Sequence, residues 1–136
     1  MKKKIALVTG GAGFIGSHIV DLLISKKYKV IVIDNLSGGH LKNIKHNLNK
    51  KNFVFLKKDI CDLKNKIAGV NKIDFIFHMA GKGDIVPSII NPKTYIKNNV
   101  LGTLNILEIA KFYNVKKIVY AASSSCYGLA KTPTNE

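Results

Sequence analysis

At 136 residues the chain has the length of a single domain, and its 46% hydrophobic content can bury a core, which excludes a disordered polymer. Its net charge is +14, yet all 22 basic residues are lysine and none is arginine. Nucleic-acid readout leans on arginine forks and clustered charge, and these lysines are scattered, so no nucleic-acid partner is expected.

The start, Met1 to Lys4 followed by Ile5-Ala6-Leu7-Val8, has the outline of a signal peptide, but Thr9-Gly10-Gly11 cuts the apolar run too early. No stretch is long enough to span a bilayer, so no membrane association is expected. Cys61 and Cys126 have no metal or redox spacing and suit a reducing compartment; a cytoplasmic protein is expected. The four histidines show no ligand spacing, so no metal is proposed.

The first predicted strand covers residues 4–8, a continuous apolar run suited to a parallel strand covered on both faces. A glycine-rich turn follows, then a helix over residues 14–26 with Ile15, Ile19, Leu22 and Leu23 on one face. Val30-Ile31-Val32-Ile33 forms the second strand and ends at Asp34. Residues 35–51 are polar, and Leu41, Ile44 and Leu48 share the spacing of one face of a short helix. The third strand is Phe53-Val54-Phe55-Leu56, closed by Asp59, and a weak helix is expected over residues 63–68. Residues 73–77 form the fourth strand. Asn91-Pro92 opens the strongest helix, with an N-cap residue and a proline where its missing donor costs nothing. Ile96, Val100, Leu104 and Leu107 line one face of it, down to about Asn114. Residues 117–121 form the fifth strand, and 129–136 read as open loop. Strands alternating with helices predict a doubly wound, Rossmann-like α/β fold, a parallel sheet in the order 3-2-1-4-5, with 1–136 as one incomplete dinucleotide-binding domain.

The chemistry concentrates in Thr9-Gly10-Gly11-Ala12-Gly13-Phe14-Ile15-Gly16, which follows a strand and opens a helix. Gly10 permits the turn, Gly13 lets backbone approach a pyrophosphate, and Gly16 allows close helix–strand packing. Exposed helix N-terminal amides then hold the anion. No Gly-Lys-Ser/Thr is present, so a P-loop is excluded. Asp34 lies 18 residues after Gly16 and can accept bonds from ribose hydroxyls. Its charge would repel a 2′-phosphate, which favours NAD over NADP. Asp59-Ile60 follows the third strand, where a doubly wound sheet places adenine.

The Thr-Gly-x-x-Gly-x-x-Gly spacing resembles the extended short-chain dehydrogenase/reductase family, specifically its NAD-dependent epimerase/dehydratase members of the UDP-glucose 4-epimerase kind. Asp34-Asn35-Leu36-Ser37, His78-Met79-Ala80-Gly81, Asn98-Asn99-Val100-x-Gly102-Thr103 and Ala122-Ser123-Ser124-Ser125-Cys126-Tyr127-Gly128 match family stretches in the same order. The resemblance covers nearly the whole chain. It implies that Gly10, Gly13, Phe14, Ile15 and Gly16 hold the pyrophosphate, and that Asp34, Asn35 and Ser37 bind the adenosine ribose. It places Asp59 and Ile60 at adenine, Ala80 and Gly81 along the nicotinamide half, and Asn99 near the cofactor. Ser123 takes the place of the catalytic hydroxyl that bonds the sugar hydroxyl being oxidised, with Ser124 and Ser125 near the substrate.

The family's base, a Tyr with a Lys four residues on, is expected about 25 residues after Ser123, leading to a sixth strand beyond this sequence. Tyr113 and Lys117 share that spacing but precede Ser123, the wrong place for proton transfer. The family Lys stands at the position of Gly83, one after Lys82, so the implied substrate extends from UDP-galactose to N-acetylated or uronic nucleotide sugars. The resemblance thus implies the NAD-binding part of a nucleotide-sugar epimerase or dehydratase, a homodimer at full length and inactive as this segment alone. The alternatives are a non-catalytic NAD or ADP-ribose module and a segment with no function of its own.

Overall fold

The computed structural model describes residues 3–129, so the loop expected over 129–136 lies, but for Leu129, outside the described residues. Five parallel strands form one sheet in the order β3-β2-β1-β4-β5. They are β1 (Ile5–Thr9), β2 (Lys29–Asp34), β3 (Phe53–Lys57), β4 (Phe75–His78) and β5 (Lys117–Tyr120). The expected order is the observed one. In β1 and β2 successive residues bury on opposite faces, which is why these strands are apolar throughout rather than alternating. Ala6, Val8, Val30 and Val32 face one layer with Val20 and Leu23 of helix α1 (Phe14–Ser25). Leu7, Ile31, Ile33 and Ile76 face the other, with Ile106 and Ile109.

Helix α1 presents a different face from the expected one. Gly16, Ser17, Val20 and Leu23 are buried, whereas Ile15 and Leu22 are 60% and 54% exposed. The rotation is set by Gly16, whose α-carbon lies against the Gly10 carbonyl; a Cβ there would overlap that oxygen. Residues 35–51 hold two 3-10 turns, Leu41–Asn43 and Lys45–Asn47, rather than one helix, and only Ile44 of the three apolar residues is fully buried.

No helix forms over residues 63–68. A single 3-10 turn, Ile60–Asp62, is followed by loop, because Ile67 and Val70 each turn into the core and Gly69 adopts φ 75°. The Tyr113 hydroxyl anchors this loop, accepting from the Ile67 N–H (2.9 Å) and lying 3.0 Å from the Val70 carbonyl. Tyr113 is therefore committed to the core, away from the site. A short helix that the sequence did not announce, α2 (Ile85–Ile90), precedes the central helix.

That central helix runs in three stretches: α3 (Pro92–Tyr95), a π-helical stretch (Ile96–Gly102) and α4 (Thr103–Phe112). Asn91 caps it as expected, its side chain accepting from the Thr94 N–H. The expected apolar face does not bury here. Ile96, Val100, Leu104 and Leu107 are about half exposed, and Gly102, Ile106, Ile109 and Ala110 point inward instead. The wide π turn shifts the helical phase by part of a turn between Ile96 and Thr103.

At the end of the sheet away from the glycine turn, Asp74 is buried. Its carboxylate accepts from the Ile5 N–H (3.0 Å) and pairs with Lys72 (2.8 Å) and Lys116 (3.6 Å).

Candidate functional site

The glycine turn lies at the C-terminal ends of β1 and β2, where the sheet reverses its winding between β1 and β4. Gly10 adopts φ 65°, open to glycine at low cost, and a Cβ there would sit 2.7 Å from the Ala80 amide nitrogen. Its N–H donates to the Ile33 carbonyl (2.9 Å), and its carbonyl accepts from the Gly13 N–H (3.0 Å). The first helical bond of α1 runs from the Ser17 N–H to the Gly13 carbonyl, so the amides of Phe14 and Ile15 carry no intrahelical partner. Their side chains point outward, Phe14 at 79% exposure against the His18 ring.

Two adjoining cavities open at this end of the sheet, of about 270 and about 330 Å³. The first is lined by Gly10, Gly13, Asp34, Asn35, Ser37, Gly38, Gly39, Ile60, Ala80 and Gly81, with Lys82 and Asn98. The second shares residues 79–83 and adds Asn99, Thr103, Tyr120 and Ser123. Most expected site residues therefore converge on these two spaces. Gly16, Phe14, Ile15, Asp59, Ser124 and Ser125 are not among the residues lining either cavity.

The acidic residues have local partners that explain their position. Asp34 Oδ2 accepts from the Ala12 N–H (2.9 Å) and Oδ1 from the Leu36 N–H (2.7 Å), which fixes the loop over the glycine turn. One acceptor position on each oxygen stays free. The Asn35 amide donates to Asp59 (2.8 Å) and its oxygen accepts from the Ser37 N–H (2.9 Å). Asp59 also caps the Ile60–Asp62 turn through the Cys61 N–H (2.8 Å). Partial burial opposes its ionisation, but the bonds from Cys61 and Asn35 outweigh that and hold its carboxyl below the usual carboxylate range. Burial and the adjacent Asp59 push the Cys61 thiol up to about 11, so it stays protonated.

The π stretch turns consecutive asparagines toward the site. The Asn99 amide is spent on the Lys82 backbone, accepting its N–H and donating to its carbonyl, both at 2.9 Å. Asn98 lines the first cavity, and its buried Oδ1 has no hydrogen-bond partner among the described residues. Asn98 was not singled out from sequence; the Asn98-Asn99 pair was visible, but which of the two faces the cavity depends on the π turn. His78, also not assigned a role, is buried at the end of β4 between Thr9 and Thr103.

Ser123 closes the second cavity just after β5. Its Oγ accepts from the Ser125 N–H (3.1 Å) and donates to the Ser125 hydroxyl (3.0 Å). A hydroxyl held this way rotates to a ligand without moving the backbone.

Residues 7–136 match the GDP-mannose 4,6 dehydratase family. The chain is 46% identical over 125 residues to a putative UDP-glucose 4-epimerase of Methanocaldococcus jannaschii, covering 90% of this chain and 39% of that one. The solved UDP-N-acetylglucosamine 4-epimerase of Methanobrevibacter ruminantium, in complex with UDP-N-acetylmuramic acid, superposes with a TM-score of 0.87 at 39% identity. That match covers 100% of this chain and 43% of the other. The UDP-glucose 4-epimerase of Bifidobacterium longum, in complex with NAD+ and UDP, gives 0.85 at 34% identity, covering 98% and 41%. The chain spans about two-fifths of the length of these relatives.

Proposed function

Because the chain belongs to the GDP-mannose 4,6 dehydratase family, we propose that it is the NAD-binding part of a nucleotide-sugar epimerase or dehydratase of the cytoplasm. The observation that carries this reading is the glycine turn opening into a cavity at the β1/β4 switch point, with the Asp34 carboxylate anchored beside it. Open α/β sheets bind their ligands at that place. The cavity also has the features a dinucleotide needs. Gly13 leaves room where a side chain would fill it, Asn98 Oδ1 is a buried acceptor with no partner among the described residues, and beside the cavity the Phe14 and Ile15 amides carry no intrahelical partner.

In this account the Phe14 and Ile15 amides take the pyrophosphate at the positive end of α1, and Gly13, its own N–H spent on the Gly10 carbonyl, lets the pyrophosphate approach the backbone. Gly16 acts one step removed, by letting the helix approach the turn. Asp34 accepts from the adenosine ribose on its remaining acceptor positions and repels a 2′-phosphate, while Asn35 and Asp59 hold the loop in which it sits. Ser37 and Ile60 close the adenosine end, and Ala80 and Gly81 line the nicotinamide end. Asn99 holds Lys82 at the junction of the two cavities. The chemistry a bound NAD supplies is reversible acceptance of hydride from a sugar carbon. Ser123 bonds the sugar hydroxyl and helps move its proton, with Ser124 and Ser125 as neighbours of the substrate.

The second proton-transfer partner, the Tyr and Lys pair, is assigned to a longer protein that carries this chain, together with the substrate's nucleotide site and a homodimer contact. The chain alone binds dinucleotide without turnover. The test is Ser123→Ala in such a longer protein. Turnover is expected to fall at least about a hundredfold with NAD still bound; unchanged turnover would contradict the role given to Ser123.

A further inference from the structure

His78 is a buried imidazole that the account so far leaves without a task. It ends β4, in register with Thr9 of β1 and Tyr120 of β5, on the last rung of the sheet below the two cavities. Nδ1 lies 2.6 Å from Thr9 Oγ1 and Nε2 lies 2.9 Å from Thr103 Oγ1. The ring stacks on Tyr120, with centroids 5.5 Å apart. Both polar partners are hydroxyls, and burial pulls the imidazole down to about 4, so it is neutral at physiological pH. A neutral imidazole has one donor and one acceptor nitrogen.

The direction of each bond follows from Thr9. Its hydroxyl is fully buried and already accepts from the Ala80 N–H (3.3 Å). Among the described residues, the one acceptor within reach of its proton is His78 Nδ1. A buried hydroxyl proton left unpaired costs about 1–3 kcal/mol, so it points there. Nε2 then carries the ring proton and donates it to Thr103 Oγ1. The Thr103 hydroxyl has no other partner among the described residues, and it lines the second cavity with Asn99, Tyr120 and Ser123. Its own proton is left over.

We propose that Thr103 is a ligand-binding donor of the second cavity, its hydroxyl proton turned outward by a Thr9–His78 chain so that it meets an oxygen acceptor on the bound ligand. Thr9 and His78 are positioning residues and touch no ligand. The nature of the acceptor rests on the function proposed above, under which the nicotinamide end of NAD lies nearest. With the opposite tautomer, His78 would consume the Thr103 proton and the cavity would lose its donor.

Two measurements on the 136-residue chain test this. Imidazole 15N shifts of His78 should show the Nε2–H tautomer; an Nδ1–H tautomer would overturn the proposal. Thr103→Val and Thr103→Ser are then titrated with NAD and with ADP-ribose, which lacks the nicotinamide. Thr103→Val should weaken NAD about fivefold, the yield of one neutral hydrogen bond, leave ADP-ribose unchanged, and be restored by Thr103→Ser. Equal weakening of both ligands, or of neither, would refute it. A wild-type chain that binds neither ligand contradicts the cofactor assignment instead, and the tautomer then decides the orientation of Thr103 by itself.

Discussion

Replacing Gly13 and Gly16 separately by alanine should divide binding from stability. At Gly16 the new Cβ would overlap the Gly10 carbonyl oxygen and lie 2.8 Å from its carbon. That carbonyl cannot step aside. It is held by the Gly13 N–H, and the Gly10 N–H is tied to Ile33. Helix α1 must therefore lift off the turn, and overpacking of this kind costs about 1–3 kcal/mol or more. At Gly13 the backbone is extended, with φ −74° and ψ 178°, which alanine adopts freely. The Cβ would meet only the Gly10 oxygen, at 3.2 Å. Alanine is a poorer N-cap than glycine, while its stiffer unfolded chain offsets that by about 0.4–1 kcal/mol. Stability should thus move by less than about 1 kcal/mol. The methyl group, however, stands on the wall of the first cavity, where a pyrophosphate must touch the backbone. NAD affinity measured by calorimetry should fall at least about tenfold, or 1.4 kcal/mol. Urea melts of both variants supply the stability arm. A Gly13→Ala chain that keeps its stability and binds NAD as tightly as the parent would refute the assignment of this turn to the pyrophosphate.

Other substitutions probe the surroundings. Asp34→Ala leaves the Ala12 and Leu36 amides without their acceptor and should cost about 2–3 kcal/mol in a urea melt. Asp34→Asn should narrow the preference for NAD over NADP, read from the two dissociation constants. For Asp74, the bond from Lys72 acts first and, with the Ile5 amide and Lys116, outweighs burial, so its folded pKa is depressed. A depressed acid contributes stability above its unfolded pKa of about 3.9 and loses it as pH falls through the folded value. Melts below about pH 4 should therefore lose stability in the parent, and Asp74→Asn should flatten that slope. Tyr113→Phe should cost about 1–2 kcal/mol and speed amide exchange at Ile67, whose N–H the hydroxyl accepts.

Much of this was legible in the residues. The strands were readable because parallel strands covered on both faces must be apolar throughout, as Ala6-Leu7-Val8 and Val30-Ile31-Val32-Ile33 are. The glycine spacing and Asp34 located the first cavity, since each needs a specific backbone geometry at a strand end. Helix faces were less legible. Gly16 carries no hydrophobic signal, yet its contact with Gly10 sets the rotation of α1 and leaves Ile15 and Leu22 outside. On the central helix apolar residues occur on more than one side, and the π turn at Ile96–Gly102 shifts the phase in a way no regular period encodes. For the same reason Asn98 escaped notice beside Asn99. The loop before β4 lacks its expected helix because Ile67 and Val70 are held by Tyr113, a residue more than 40 positions away.

The most direct test of the central claim is an amide chemical-shift titration of the 136-residue chain with NAD. The account predicts saturable shifts at Gly10, Gly13, Phe14, Ile15, the Asp34–Ser37 loop and residues 80–82, with little change around Asp74. Absence of binding by the folded chain, or shifts confined to another surface, would contradict it.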